Sequence, residues 1–171
     1  FTVVNGGATN ATFKCNEVLA AFGRLFIVDN ATDSQTIYWS DLLVGNDFSG
    51  GSSGNIDVNK VWPDGYDEVV ALAAHNNNLV VFGEHSIIVY EGATSPASMT
   101  LADTVSGVGC VDRNAVQSIG TDVLFMSNSG LRSLGRAIQE KALPISDLSL
   151  NVKTEIIEII EAETEPLASI Y

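Results

Sequence analysis

Positive charge is scarce in this chain: 8 of its 171 residues are Lys or Arg, against 21 Asp and Glu, for a formal net charge of −13. That balance excludes a protein that grips nucleic acid by neutralising phosphates. It suits a surface that a DNA duplex passes without sticking, because an acidic wall repels phosphate. Cysteine is equally sparse. Cys15 and Cys110 cannot build a disulfide framework in a chain of this size. They leave either one bridge or, more simply, two buried thiols in a protein assembled in a reducing cytoplasm. There are two histidines, His75 and His85, with no Cys or His at ligand spacing, so both are read as surface loop residues. No apolar run approaches the ~18 residues of a membrane span. Nothing resembles a nucleophile, base and orienter set. The reading is therefore a non-enzyme with no catalytic, cofactor-binding or metal residue assigned.

What is present is apolar content of 46% with a mean hydropathy of +0.21, enough to drive folding. One pattern is written three times: an apolar stretch, a tight polar corner and a second apolar stretch. Leu19-Ala-Ala-Phe-Gly23 leads into Leu25-Phe-Ile-Val28 and then Thr36-Ile-Tyr-Trp39. Val69-Val-Ala-Leu-Ala-Ala74 passes through His75-Asn-Asn-Asn78 into Leu79-Val-Val-Phe82 and Ser86-Ile-Ile-Val-Tyr90. Ala115-Val-Gln-Ser-Ile119 leads to Val123-Leu-Phe-Met126, the turn Ser127-Asn-Ser-Gly130, and Leu131-Arg-Ser-Leu134. Each copy predicts three short antiparallel strands, over about 17–42, 68–92 and 113–135. The middle strands start at Leu25, Leu79 and Val123, 54 and then 44 residues apart, near the length of a propeller blade.

The fold class expected is mainly β: a partial β-propeller over 1–171, with a minor C-terminal helix. Such a blade is apolar on both faces and needs a neighbour on each side. Three blades do not close a ring, which takes about four to eight. The first residue is Phe1, not Met, and Thr164–Tyr171 reads as the entry to another strand, so a piece of a larger propeller protein is expected.

Between the copies, Asn5-Gly6-Gly7 is a turn signal in a weakly alternating segment. Gly45–Gly54 reads as a flexible polar loop, Asn55–Val58 as a strand, and Pro63-Asp64-Gly65 as a turn in which Pro63 presets φ and Gly65 takes a positive one. Residues 93–112 read as an inter-blade connector whose Ser106-Gly-Val-Gly-Cys110 lets the backbone approach a neighbour closely. Leu148, Val152, Ile156 and Ile159 recur at helical spacing within 146–163, an amphipathic inter-blade helix widened by Ile157 and Ile160 and bounded by Pro144 and Pro166.

Candidate chemistry is thin. Gly50-Gly-Ser-Ser-Gly54 has neither the lysine nor the strand-to-helix context of a phosphate loop. Asp64, Asp67 and Glu68, and likewise Asp29 and Asp33, lack EF-hand spacing and read as solvated turns, with calcium the weaker alternative. Thr32–Trp39 resembles the aspartate box of sialidase-type propellers, without its central glycine and with the Asp-to-Trp spacing one residue too long. It marks a hairpin. Arg24, Arg113 and Arg132 are scattered and form no sialidase set. Tyr38, Trp39, Trp62, Phe82, Tyr90 and Phe125 sit on or beside the strands as core, Trp62 alone being placed to stack on a sugar.

Ile37-Tyr-Trp-Ser40, Leu79–Gly92 ending in Tyr90-Glu-Gly92, Gly109-Cys110, Val123–Leu131 and Pro144-Ile-Ser-Asp-Leu148 together resemble the tail nozzle, or tail tubular protein B, family of short-tailed phages, related to phage DNA-stabilisation proteins. The resemblance covers Leu25 to Tyr171. It implies a propeller-containing virion subunit, arranged as a homo-oligomeric ring, usually a hexamer, that meets the tail adaptor and other tail proteins. Double-stranded DNA would be retained in and ejected through its channel without sequence-specific binding, and assembly would occur in the host cytoplasm. The loop Gly45–Gly54 and the helix Asp147–Glu163 are the candidate contact elements. A carbohydrate-binding or glycan-cleaving propeller is the alternative.

Overall fold

The computed structural model describes residues 2–4, 12–29, 34–139 and 153–162. They form three antiparallel sheets, each a meander in chain order. The first holds β1 (Thr2–Val4), β2 (Thr12–Ala21), β3 (Arg24–Asp29), β4 (Thr36–Trp39) and β5 (Gly54–Asp57). The second holds β6 (Val69–His75), β7 (Asn78–Gly83), β8 (Ser86–Glu91) and β9 (Thr100–Ser106). The third holds β10 (Val116–Ser118), β11 (Val123–Ser127) and β12 (Gly130–Ser133), and the chain continues without a break into helix α1 (Leu134–Gln139). A second helix, α2 (Lys153–Ala162), contacts β12.

Each of the three copies read from the sequence is a separate sheet. The connector expected over 93–112 is in part a strand: β9 pairs with β8 from Ser86↔Ser106 to Glu91↔Thr100. Its mixture of Thr, Asp and Leu hides it, because an edge strand buries little and its side chains are mostly exposed. Leu134, read as a strand end, begins α1 instead. Ser133 caps that helix, its hydroxyl accepting from the Arg136 amide at 3.4 Å. The Thr164–Tyr171 segment and the Asn5-Gly6-Gly7 turn lie outside the described residues.

The repeat is stricter than the sequence alone indicates. Strand β2 carries a bulge between Cys15 and Glu17, and β6 carries one between Val69 and Ala71. The closing hairpin pairs are Ala21↔Arg24 and His75↔Asn78. Bulge, register and turn all recur at an offset of 54 residues, with no gap. Both corners are two-residue turns with φ positive at both central positions: 53° at Phe22 and 70° at Gly23, 47° at Asn76 and 65° at Asn77. That is the type I′ geometry whose twist matches a right-handed hairpin.

Alternation along the middle strands decides how the sheets stack. Leu79, Val81, Ile88 and Tyr90 leave one face of the second sheet and meet Phe26, Val28, Ile37 and Trp39 of the first. Val80, Phe82, Ile87 and Val89 leave the other face and meet Val123 and Phe125 of the third. Phe82 and Phe125 are in ring contact across that second interface, with centroids 5.0 Å apart. The second sheet is thus covered on both faces, and its β7 and β8 read as near-continuous apolar runs for that reason. Across the sheets, β2 lies against β6 and β6 against β10.

Gly109 shows why the segment before the third sheet is glycine-rich. A Cβ there would lie 2.2 Å from the Glu84 carbonyl carbon and oxygen, so only glycine lets the chain pass the β7–β8 turn. The Cys110 amide then bonds the Gly83 carbonyl at 2.9 Å. Gly109→Ala should therefore force the backbones apart and lower the unfolding free energy by about 2–4 kcal/mol, read as a fall in the urea midpoint. An unchanged midpoint would show that the approach is not tight.

Candidate functional site

Where β2 and β6 run side by side, the Glu17 carboxylate reaches across and accepts the Leu72 amide. The bulge at Asn16 creates this geometry by shifting the alternation of β2 by one residue. Burial is the main influence on Glu17 and raises its pKa to about 7. The Leu72 amide and Arg113 pull it down, and Asp112 pushes it up. Arg113, on the turn leading into β10, donates to the Asn16 carbonyl. Two adjoining clefts of about 380 and 360 Å³ share Asn16 and Arg113. The first adds Cys15, Glu17 and Asn114, and the second adds Val70, Glu84 and Asp112. The seam beside β2 and β6 thus holds Glu17, Glu84, Asp112 and Arg113 along two adjoining clefts.

Cys110 lies beneath it. Burial pushes this thiol up to about 11, so it is protonated at neutral pH and not a nucleophile. It donates to the Asp112 carbonyl at 3.1 Å. Cys15 is also buried, and the two are not bridged. Of the two arrangements open to the cysteines, this is the pair of thiols.

The acidic groups read from the sequence are rearranged. Asp64 sits exposed in the Pro63-Asp64-Gly65 turn, where Gly65 has the positive φ expected of it, 103°. Asp67, expected to be a solvated turn residue, is buried. Its carboxylate accepts the amides of Glu68, Glu84 and His85 at 2.9, 2.9 and 3.0 Å, clamping the β7–β8 turn. A Cβ on Gly83 would lie 2.4 Å from that carboxylate. Asp67, Glu84 and His85 bring one ligand atom each within 4.8 Å of one another, but both Asp67 oxygens already hold backbone amides, so the group is a turn clamp. Asp33 lies outside the described residues. His75 closes the β6–β7 hairpin, its ring 2.8 Å from the Asn76 amide group, and His85 is exposed. His85 is thus the surface loop residue expected, whereas His75 is the half-buried last residue of strand β6.

Trp62 offers no stacking platform. It is buried, and its indole N–H donates to Gln35 Oε1 at 2.7 Å, while Gln35 Nε2 donates to the Asp67 carbonyl. The chain reversal before β6 is anchored by that relay.

Gly45–Gly54, read as a flexible loop, is instead held at several points. Asp41 Oδ1 accepts the Leu42 amide and both the amide and hydroxyl of Ser52, at 2.8, 2.9 and 2.8 Å. Asp47 Oδ1 accepts the amides of Ser49 and Gly50. Buried Arg24 donates to the carbonyls of Ser40 and Ser52 and to the Ser52 hydroxyl. Phe48 packs on Cys15 and Ile27 on the outer face of the first sheet. In α2, Ile156, Ile157 and Ile160 are half-buried while Ile159 is 61% exposed, so the packed side is rotated from the stripe read in the sequence. Leu148 and Val152 lie outside the described residues. Among the described residues, no helix is long and apolar enough to cross a membrane.

The Glu17 seam escapes sequence reading. Nothing local to a single glutamate in a strand announces a bulge, and its partners are about 55 and 95 residues away, reached only through the stacking of sheets. A scan against protein-family models finds no match to this chain, and a search of curated proteins finds none either.

Glu17 titrates higher in the fold, about 7, than its ordinary 4.5. The folded state therefore binds more protons between those values, and stability falls as pH rises from about 4.5 to 7. Glu17→Gln keeps an acceptor for the Leu72 amide without the charge. It should remove that slope and leave the protein on the order of 1–2 kcal/mol more stable at pH 8, after allowing for solvent screening. Chemical denaturation of both proteins at pH 5 and pH 8 checks this. Parallel pH profiles would contradict it.

Proposed function

We propose that the chain is a structural subunit of a phage tail nozzle, contributing β-propeller blades to the wall of a channel in which DNA is retained and from which it is ejected. The observation that carries the reading is the stack of three meander sheets, the central one covered on both faces, with β2, β6 and β10 side by side. Blades in a propeller are four-stranded antiparallel sheets repeated around an axis, and face-to-face stacking of meanders fits that arrangement. The 54-residue recurrence of bulge and turn supports a blade repeat. Closure of the propeller would take further blades on the outer faces of the first and third sheets.

The role is mechanical and electrostatic. A net charge of −13 disfavours lasting contact with phosphate and lowers friction on a passing duplex. In this reading the chain acts without catalysis or cofactor, in a homo-oligomeric ring joined to the adaptor and other tail proteins of the virion, after assembly in the host cytoplasm. The likeness of Leu79–Gly92 and Val123–Leu131 to the nozzle family points the same way.

Imaging the native particle that carries this chain tests the proposal. A closed ring of about six copies around a DNA-wide channel is expected. A monomer holding a glycan at the centre of the sheet stack would overturn it in favour of a carbohydrate-binding propeller.

A further inference from the structure

Glu17 occupies a place that the rest of the repeat gives to alanine. Ala71 follows the bulge of β6 as Glu17 follows the bulge of β2, the one opposite Phe82 and the other opposite Val28. In the third sheet the Ile119 amide bonds the Asp122 carbonyl, closing β10 on β11 as His75↔Asn78 closes β6 on β7. That register makes Ala115, whose carbonyl accepts the Met126 amide at 3.0 Å, the counterpart of Ala71. Both alanines are buried in the core between the second and third sheets. Where two sheets place a methyl group, the first places a carboxylate that crosses to the Leu72 amide.

Two ties cross the seam at neighbouring residues. Glu17 joins β2 to β6 through the Leu72 amide, and Arg113 joins β2 to the turn before β10 through the Asn16 carbonyl. The stretch they hold is peripheral. Asn16, Val18, Arg113 and Asn114 are exposed, the bulge interrupts the β2–β3 ladder at Asn16, and the two clefts run along the seam. A segment with an interrupted ladder and exposed side chains opens at lower cost than a covered core.

Burial controls the proton on Glu17, because the charges around it are mixed. Asp112 and Arg113, on the turn before β10, act in opposite senses. Glu84, on the β7–β8 turn, lines the adjoining cleft, Cys110 is a protonated thiol, and Lys14, the other charged residue of β2, is exposed. A buried carboxyl is held in its neutral form and a hydrated one is not. The closed seam therefore keeps the proton and an opened seam releases it, so closure loses its advantage as pH rises from about 4.5 to 7.

We propose that Glu17 and Arg113 form a proton-operated latch: with Glu17 protonated the seam is closed, and when it ionises β2 parts from β6 at Asn16 and Glu17 while the sheets stay stacked. A loss of overall stability with pH follows from burial alone. The latch adds a local opening that precedes unfolding. It depends on the seam only and stands whether or not the sheets belong to a nozzle.

Native-state hydrogen exchange of the full chain, followed by NMR at pH 5 and pH 8 with and without low urea, tests the latch. After correction for intrinsic rates, protection of the Leu72 amide should fall at least about tenfold between the two pH values, the factor that one unit of pKa difference supplies. The exchange should be insensitive to low urea, the mark of an opening that exposes little surface. In Glu17→Gln, Leu72 should be equally protected at both pH values. Arg113→Gln, at an exposed position, removes the second tie and should lower Leu72 protection at both. Leu72 exchange with the urea slope of the β7 and β8 amides would overturn the latch, because the seam would then open only with the whole stack. So would protection of Leu72 that does not change with pH, or a fall with pH that Glu17→Gln leaves intact.

Discussion

A sheet that is apolar on both faces must be covered twice, and the strands β6 to β9 impose that requirement on everything around them. Leu79, Val81, Ile88 and Tyr90 demand one neighbour, and Val80, Phe82, Ile87 and Val89 demand another. The first and third sheets meet that demand with faces built of Phe26, Val28, Ile37 and Trp39 on one side and Val123 and Phe125 on the other. Neither outer sheet would be stable as an isolated meander of this length, because a lone small sheet buries too little apolar area to offset its lost conformational entropy. Each outer sheet therefore folds against the central one.

The stack also determines what the carboxylates do. Asp41, Asp47, Asp67 and Asp122 each accept backbone amides at a turn, and Asp122 joins the β10–β11 link to the start of α1 through Val123, Ser133 and Gly135. Turns between stacked sheets are short of intrachain acceptors for their N–H groups, and a carboxylate satisfies two or three at once. A chain with few cations can thus be strongly acidic without losing its loops.

The three copies were legible because β7, β8 and β11 are runs of Val, Leu, Ile and Phe bounded by Asn, Gly and Ser, and period and punctuation agree there. The close approach at Gly109 and the positive φ at Gly65 were legible for the same reason: glycine in such a place has few other uses. Strand β9 was not, since Thr100–Ser106 is an exposed edge and carries no apolar alternation. Asp67 reads as one of three acids in a polar turn, and only the packing of β7 and β8 shows that it is buried under backbone amides. Glu17 is further still from local inference. Its environment is made by a bulge, by a backbone amide of β6 and by Asp112 and Arg113 on the turn before β10.

Native-state hydrogen exchange tests most directly the claim that the central sheet is held from both sides. Amides of β7 and β8 should be the slowest in the chain and should exchange only through global unfolding, their protection equal to the free energy from urea denaturation. Amides of β3, β4 and β11, each with a neighbouring sheet on one side, should open at lower cost. Exchange of β7 and β8 at the rates of β3 and β11, or in separate sub-global steps, would contradict the account.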